Sequence, residues 1–156
     1  MARLLKGKYT LGIIKPDLFS QPNCEMQARK IKDLMQRNNV QIIKSHRTQL
    51  TKERAEQFYG EHAGKFFYQR LISFMTSGPL ELMVLESNKD DLDVITHWRT
   101  LMGPTHAEKA RANSPNSIRA QFGYSDTRNV VHGSDSPDNA EKEVSFFFPE
   151  LFEEHN

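Results

Sequence analysis

The sequence contains a single cysteine, Cys24, among its 156 residues. One cysteine cannot form a disulfide within the chain, so we expect an intracellular protein, cytoplasmic or mitochondrial, in a reducing compartment. The sequence also lacks any apolar run close to the roughly 20 residues that a membrane-spanning helix needs. These two absences exclude a disulfide-stabilised secreted scaffold and argue against an integral membrane protein.

An excess of either charge is missing as well, because 21 lysine and arginine residues stand against 20 aspartate and glutamate residues. A net charge near zero provides no overall field that would draw the chain to nucleic acid or to an anionic membrane. The aromatic motif typical of RNA-binding strands is also missing, so a small nucleic-acid-binding protein is only a third hypothesis. A local cluster of cations is still compatible with this balance.

The apolar pattern predicts alternating strands and helices. Strands are predicted over residues 9–14, 40–50, 80–85 and 128–132. Helices are predicted over residues 24–38, 52–59, 65–76 and 137–147, with a further one that Asn88 caps and whose inner face carries Val94, Ile95, Trp98 and Leu101. The order β-α-β-(αα)-β-α-β-α indicates the α/β class in its α+β form. We therefore expect a ferredoxin-like split βαβ fold, a four-stranded antiparallel sheet covered by helices on one face.

Local signals refine this outline. Pro16 is expected to stop the first strand, because proline cannot donate to a sheet ladder. The segment 80–85 is almost continuously apolar, which favours a central strand. Residues 104–118 show no clear apolar period and are expected to form a long loop, usually a functional or mobile one. The length suits a single domain over residues 1–156.

The segment RNVVHGSDS at residues 128–136 contains the histidine of greatest interest, His132. Two interpretations stay open at this level: a core histidine, or an exposed nucleophile at the end of a strand. Gly133 would let a ligand or backbone approach the ring closely, and the helix that follows favours anions at its start. A neutral imidazole is a competent nucleophile if an acceptor orients its other nitrogen. Glu143 either supplies that acceptor or is an ordinary solvated acid on the last helix.

Several motifs together resemble those of nucleoside diphosphate kinases. They are RNVVHGSDS, IKPD at 14–17, SGP at 77–79, WRTLMGPT at 98–105 and SIRAQFG at 117–123. They follow the family's order and span nearly the whole chain. HGSDS after Arg-Asn is highly specific, whereas IKPD or SGP alone would be weak. The stretch FYGEHAGKFFYQRL and the lengthened loop after Thr105 are most similar to the divergent animal-type subgroup six.

The resemblance implies a phosphotransferase that moves the γ-phosphoryl group of a nucleoside triphosphate to a nucleoside diphosphate. The reaction would be ping-pong, through a phosphohistidine at His132. Glu143 would hold the ring, Ser134 would orient this glutamate, and Tyr59 would lie beside the histidine and the transferring phosphate.

The resemblance also implies how the nucleotide binds. Lys15 would reach the ribose hydroxyls and phosphates, Phe67 would stack on the base, and Asn129 would bind the sugar 3′-hydroxyl. The phosphates would be gripped by Arg99, Thr105 and Arg119. Mg²⁺ is the implied cofactor, held through the nucleotide phosphates rather than by a dedicated protein cage. Cationic side chains suit this chemistry, because phosphoryl transfer depends mainly on positioning and on neutralising charge.

Departures from the family pattern keep a second function open, a weakly active or inactive nucleotide-binding module that acts mainly as a protein partner. The loop after Thr105 is longer than is typical, which puts hexamer assembly in question. A homo-oligomer, as a dimer or a hexamer, and a monomer with a protein partner therefore stay open. Asp126 stands where a branched apolar residue often backs the base, and the tail ends early at His155 and Asn156.

Overall fold

The structure is a computed structural model that describes residues 4–124 and 128–152, so Asp126, His155 and Asn156 lie outside the described residues. Its strands are β1 (Tyr9–Ile14), β2 (Val40–Thr48), β3 (Leu80–Ser87) and β4 (Val131–Gly133). They form an antiparallel sheet in the order β2-β3-β1-β4. The predicted fold class is confirmed, and the apolar strand β3 is central as its composition indicated.

The helices are α1 to α8 in chain order. Their bounds are α1 Pro16–Phe19, α2 Cys24–Arg37, α3 Lys52–Phe58, α4 Tyr68–Met75, α5 Val94–Met102, α6 Ala107–Asn113, α7 Ile118–Phe122 and α8 Pro137–Phe147. Short 3-10 turns add Gly60–His62 and Pro149–Phe152. Among residues 4–124 and 128–152, no helix combines the length and apolar character needed to cross a bilayer.

Helices cover both faces of the sheet, so the expectation of a single covered face is wrong. Successive strand residues point to opposite faces, and Leu11 and Ile13 of β1 pack in one buried cluster while Ile14 packs in the other. Residues of α3, α4 and α8 join the first cluster, and residues of α2 and α7 join the second. All six residues of β1 are buried, which requires cover on both sides.

Two of the predicted helix starts are wrong. The helix predicted to follow Asn88 begins after Asp93, whose carboxylate accepts from the amides of Ile95 and Thr96 at 3.1 and 3.4 Å. The carboxylate satisfies two free amides of the first turn, which makes Asp93 the better cap. The helix predicted from residue 65 begins at Tyr68.

Three further segments depart in detail from the sequence prediction. Pro16 follows β1 and is also the first residue of α1. Proline suits this position because the first amides of a helix have no partner within the helix, so its missing N–H costs no hydrogen bond. The predicted 104–118 loop contains α6, which buries only Ala107 and Ala110 and so shows little apolar period. The last strand is also shorter than predicted, Val131–Gly133 rather than 128–132.

Candidate active site

The backbone around His132 is fixed by groups from several elements. Trp98 Nε1 of α5 donates to the His132 carbonyl at 3.1 Å, and Arg119 Nη2 of α7 donates to the Val131 carbonyl at 3.0 Å. The amide of Ser134 donates to the Leu11 carbonyl at 3.3 Å. These hydrogen bonds therefore fix the position of His132, although β4 itself has only three residues.

The imidazole of His132 forms a hydrogen-bonded group with two predicted partners. His132 Nε2 lies 2.6 Å from Glu143 Oε1, and Ser134 Oγ donates to the same oxygen at 3.1 Å. Ser134, which is fully buried, also accepts from the Leu11 amide at 3.2 Å. A carboxylate oxygen accepts in this contact when Nε2 is the donor, and the tautomer with its proton on Nε2 keeps a lone pair at Nδ1. The His132 side chain is 23% exposed, so the ring is not sealed in the core.

Aromatic rings border the histidine on the side of α3. Phe58, which the sequence did not single out, meets the His132 ring edge to face, with centroids 6.0 Å apart. The Phe58 ring in turn contacts Phe147 and Tyr59 at 4.8 and 4.9 Å. Burial and then the charge of Glu143 raise the pKa of the Tyr59 phenol, so this side chain remains a neutral donor. Phe58 was missed because one aromatic residue in a short amphipathic helix looks like ordinary packing.

Phe67 belongs to the same aromatic group but does not contact the ring of His132 directly. Its half-buried ring lies 5.4 Å from the ring of His62, and His62 lies 6.3 Å from that of Tyr59. Phe66 is 98% exposed beside it. Sequence reasoning also missed His62, whose Nδ1 is buried and has no hydrogen bond among the described residues.

A cavity of about 480 Å³ brings the three predicted phosphate-binding side chains together. Arg99, Thr105 and Arg119 line it, and so does Asp135, three residues after His132. A hydrogen bond from Asn139, and more weakly the charge of Arg99, lower the pKa of Asp135. The lining therefore combines two cations, one carboxylate and four hydroxyl side chains (Thr96, Thr100, Thr105 and Ser114), which suits an anionic ligand.

Arg119 is the buried cation of this cavity. It is 8% exposed, and its Nη1 donates to the Gly103 carbonyl at 2.9 Å in addition to the bond to Val131. Burial, followed by the nearby charge of Arg99, lowers the pKa of Arg119 to about 10. The guanidinium is still charged at neutral pH, and its two carbonyl bonds fix the plane of its fork.

Lys15 and Asn129 connect the cavity to the strand that carries the histidine. Lys15 Nζ donates to Asn129 Oδ1 at 2.7 Å, and Asn129 Nδ2 donates to the Thr105 carbonyl at 3.1 Å. Burial and then the charge of Arg119 lower the pKa of Lys15 to about 8, an effect that Asp17 opposes. The predicted sugar-binding pair therefore exists as a contact, next to a residue of the predicted phosphate group.

Gly133 packs closely against Trp98, a role for its missing side chain that the sequence interpretation did not give it. A Cβ atom at this position would lie 2.7 Å from Trp98 Cδ1 and 2.9 Å from Met102 Sδ. Gly133→Ala is therefore expected to lower the free energy of unfolding by roughly 1–3 kcal/mol, as overpacking does. Urea titration measures this change. Gly78→Ala is the matched control, since a Cβ there meets nothing within 4 Å, and an equal loss in both variants would contradict the packing argument.

The imidazole of His132 is oriented by a carboxylate, and Asp135 of the same segment lines a cavity that contains two arginines. This combination is typical of enzymes that transfer phosphoryl groups through histidine. The family model for nucleoside diphosphate kinase matches residues 8–152. The chain therefore belongs to the nucleoside diphosphate kinase family.

Individual relatives agree with this assignment. The chain is 46% identical over 143 residues to nucleoside diphosphate kinase 6 of Danio rerio, which covers 91% of this chain and 77% of the relative. It is 40% identical over 158 aligned residues to nucleoside diphosphate kinase 6 of Homo sapiens, with 99% and 81% covered. The crystal structure of the Aquifex aeolicus nucleoside diphosphate kinase superposes with a TM-score of 0.82 at 40% identity, covering 90% of this chain and 94% of that one.

The resemblance to subgroup six is thereby confirmed. Family membership and fold together support a nucleotide-binding function of the nucleoside diphosphate kinase type.

Proposed function

We propose that this protein is an active nucleoside diphosphate kinase and that Nδ1 of His132 is its nucleophile. The observation that carries the proposal is the 2.6 Å contact between His132 Nε2 and Glu143, because it leaves the Nδ1 lone pair free to react. Nδ1 attacks the γ-phosphorus of a nucleoside triphosphate, and the N–P bond forms as the bond to the bridging oxygen breaks. The nucleoside diphosphate leaves with that electron pair. A second diphosphate then takes the phosphoryl group by the reverse step.

Glu143 has a separate electrostatic role in this scheme. Bond formation at Nδ1 gives the ring imidazolium character, and the adjacent carboxylate stabilises that positive charge. Ser134 donates to the carboxylate and accepts from the Leu11 amide, which fixes the carboxylate in place. The neutral phenol of Tyr59 is available as a hydrogen-bond donor on the side of the histidine that faces α3.

Substrate binding follows the division of the site into three parts. Arg99, Thr105 and Arg119 would contact the phosphates, because they share one cavity. Lys15 would reach the ribose hydroxyls and the phosphates, and Asn129 would bind the sugar 3′-hydroxyl. The Phe67 ring would stack on the base. A stacked ring accepts any base face, which predicts broad tolerance of the base.

Mg²⁺ is proposed as the cofactor. Of the described residues that line the cavity, Asp135 is the carboxylate, and the cations are Arg99 and Arg119. Because Mg²⁺ favours phosphate oxygens and water, this lining fits a metal that arrives with the nucleotide phosphates. When bound, it would neutralise charge on the transferring group.

Incubation with γ-labelled ATP tests the proposal. We expect an acid-labile label on the protein, as an N–P bond requires, and its transfer to added nucleoside diphosphate in a second step. Absence of the label from correctly folded protein, or a label that no diphosphate removes, would contradict the proposal.

Helix α6 favours a second candidate function, a nucleotide-binding module that turns over slowly and acts mainly as a protein partner. It occupies the lengthened segment between Thr105 and Arg119, both of which line the cavity. A small displacement of α6 would separate these two phosphate-binding residues. Tight nucleotide binding combined with very slow labelling of His132 would support this candidate instead.

The charge of Lys15 is expected to limit activity at alkaline pH. The pKa of about 8 means that Lys15 is positively charged below this pH and neutral above it, so its attraction for the nucleotide is lost as pH rises. We therefore expect kcat/KM to fall above about pH 8, since this quantity reports ionisations of the free enzyme. In kcat the fall should occur at higher pH, because bound phosphate favours the charged amine.

A kcat/KM profile from about pH 6.5 to about pH 9.5 measures this effect. Lys15→Arg is the informative variant, since a guanidinium keeps its charge throughout this range. An unchanged alkaline fall in this variant would show that another group is responsible.

A further inference from the structure

Val130, two residues before His132, has a backbone conformation that β-branched residues rarely adopt. Its φ angle is +64°, in the left-handed region, and its side chain is fully buried. This conformation is strained for a branched residue and persists only where the surroundings impose it. The amide of Val131 donates to the Asn129 carbonyl at 2.8 Å, so Val130 is the central residue of a γ-turn.

The segment Lys15–Asp17 holds both polar groups of Val130. The amide of Lys15 donates to the Val130 carbonyl at 2.7 Å, and Asp17 Oδ2 accepts from the Val130 amide at 3.1 Å. Asp17 is 8% exposed, and its Oδ1 has no hydrogen bond among the residues that the structure describes. A buried carboxylate with one unpaired oxygen is unfavourable for stability by itself. Its presence beside the strained turn is therefore better explained by a role in the adjoining site.

The strained turn separates two functional side chains. Asn129 lies before the turn and is hydrogen-bonded to Lys15 Nζ and to the Thr105 carbonyl. His132 lies after the turn and is hydrogen-bonded to Glu143. If Val130 relaxed to an ordinary φ angle, the direction of the chain between these two side chains would change. The sugar-binding pair would then move relative to the nucleophile.

We propose that Asp17 is a positioning residue for phosphoryl transfer, which holds Val130 in its left-handed conformation and so sets Asn129 against His132. This inference rests on the proposed kinase function. Asp17 is assigned no contact with substrate, and it acts through the turn. Loss of its carboxylate should therefore slow the chemical step more than it weakens nucleotide binding.

Single-turnover phosphorylation of the full chain by γ-labelled ATP tests the assignment, with the rate expressed per histidine that becomes labelled. Asp17→Ala is expected to lower the rate at saturating ATP by roughly 5- to 30-fold. The left-handed conformation costs about 1–2 kcal/mol, and losing the group that offsets this cost lowers the population of the correctly arranged turn by that factor. The final extent of labelling should stay the same. Asp17→Asn keeps an acceptor for the Val130 amide and should retain much more of the rate. Asp33→Asn removes an exposed carboxylate from α2 and is the matched control.

A second substitution separates positioning from simple loss of stability. Glycine adopts positive φ without strain, so Val130→Gly combined with Asp17→Ala should be faster than Asp17→Ala alone. If the double variant does not fold, the contrast between Asp17→Asn and Asp17→Ala decides the matter.

The outcomes distinguish this inference from the proposal on which it rests. An unlabelled wild-type protein contradicts the kinase function itself. A labelled wild type with an unchanged rate in Asp17→Ala contradicts the positioning role alone. Equal slowing in Asp17→Asn and Asp17→Ala also overturns it, since an acceptor for the Val130 amide would then be irrelevant.

Discussion

Replacing His132 by alanine is expected to abolish both the acid-labile label and transfer between nucleotides. In the proposed mechanism the phosphoryl group is bonded to this ring between the two half-reactions, so its removal eliminates the intermediate. Loss of a covalent nucleophile lowers turnover by more than about 10⁴-fold in enzymes of this kind. Rapid quenching with labelled ATP measures the first half-reaction, and production of labelled triphosphate from added diphosphate measures the second.

The interpretation of this variant depends on its being folded and able to bind nucleotide. The His132 side chain is partly exposed, and the hydrogen bond from Trp98 to the backbone carbonyl at position 132 is retained in alanine. The free energy of unfolding should therefore change little. His46→Ala, at an exposed position on β2, is the matched control and should keep label and transfer. Labelling that persists after His132→Ala would place the nucleophile elsewhere and refute the mechanism.

The fold could be predicted because its elements leave local signatures. The strand YTLGII and the caps Thr51 and Ser136 depend on neighbouring residues alone, and both caps accept from backbone amides as expected. Helix α6 left no such signature, because it buries two alanines and nothing larger. Cover on the second face of the sheet did leave a signature, because β1 and most of β3 are apolar on both faces. Such continuous apolar runs are typical of strands that are buried on both sides.

The part of the site that local sequence alone could predict lies within one motif and the helix that follows it, whereas the nucleotide-binding residues were implied only by the family resemblance. His132, Ser134 and Glu143 are close in sequence, and the geometry of a strand followed by a helix brings them together. The contact between Asp17 and Val130 spans 113 residues and exists only because β1 pairs with β4. No local pattern carries that information, nor does one show that Phe58 rather than another apolar residue of α3 meets the histidine.

Exchange of Glu143 for glutamine is expected to slow phosphorylation of His132 by about 10²- to 10³-fold while leaving its final extent unchanged. The glutamine oxygen can still accept from Nε2, so the ring keeps an acceptor. What is lost is the negative charge that stabilises the imidazolium character of the ring when the N–P bond forms. The variant therefore separates orientation of the histidine, which survives in part, from electrostatic stabilisation, which does not.

Single-turnover labelling at saturating ATP measures this effect, with Glu141→Gln as the control on the exposed face of the same helix. Ser134→Ala should give a smaller decrease, because it removes one hydrogen bond to the carboxylate and leaves the charge. If Glu143→Gln labelled as fast as the wild type, orientation alone would account for the role of Glu143. If Ser134→Ala were the slower of the two, the fixed position of the carboxylate would matter more than its charge, and the electrostatic argument would fail.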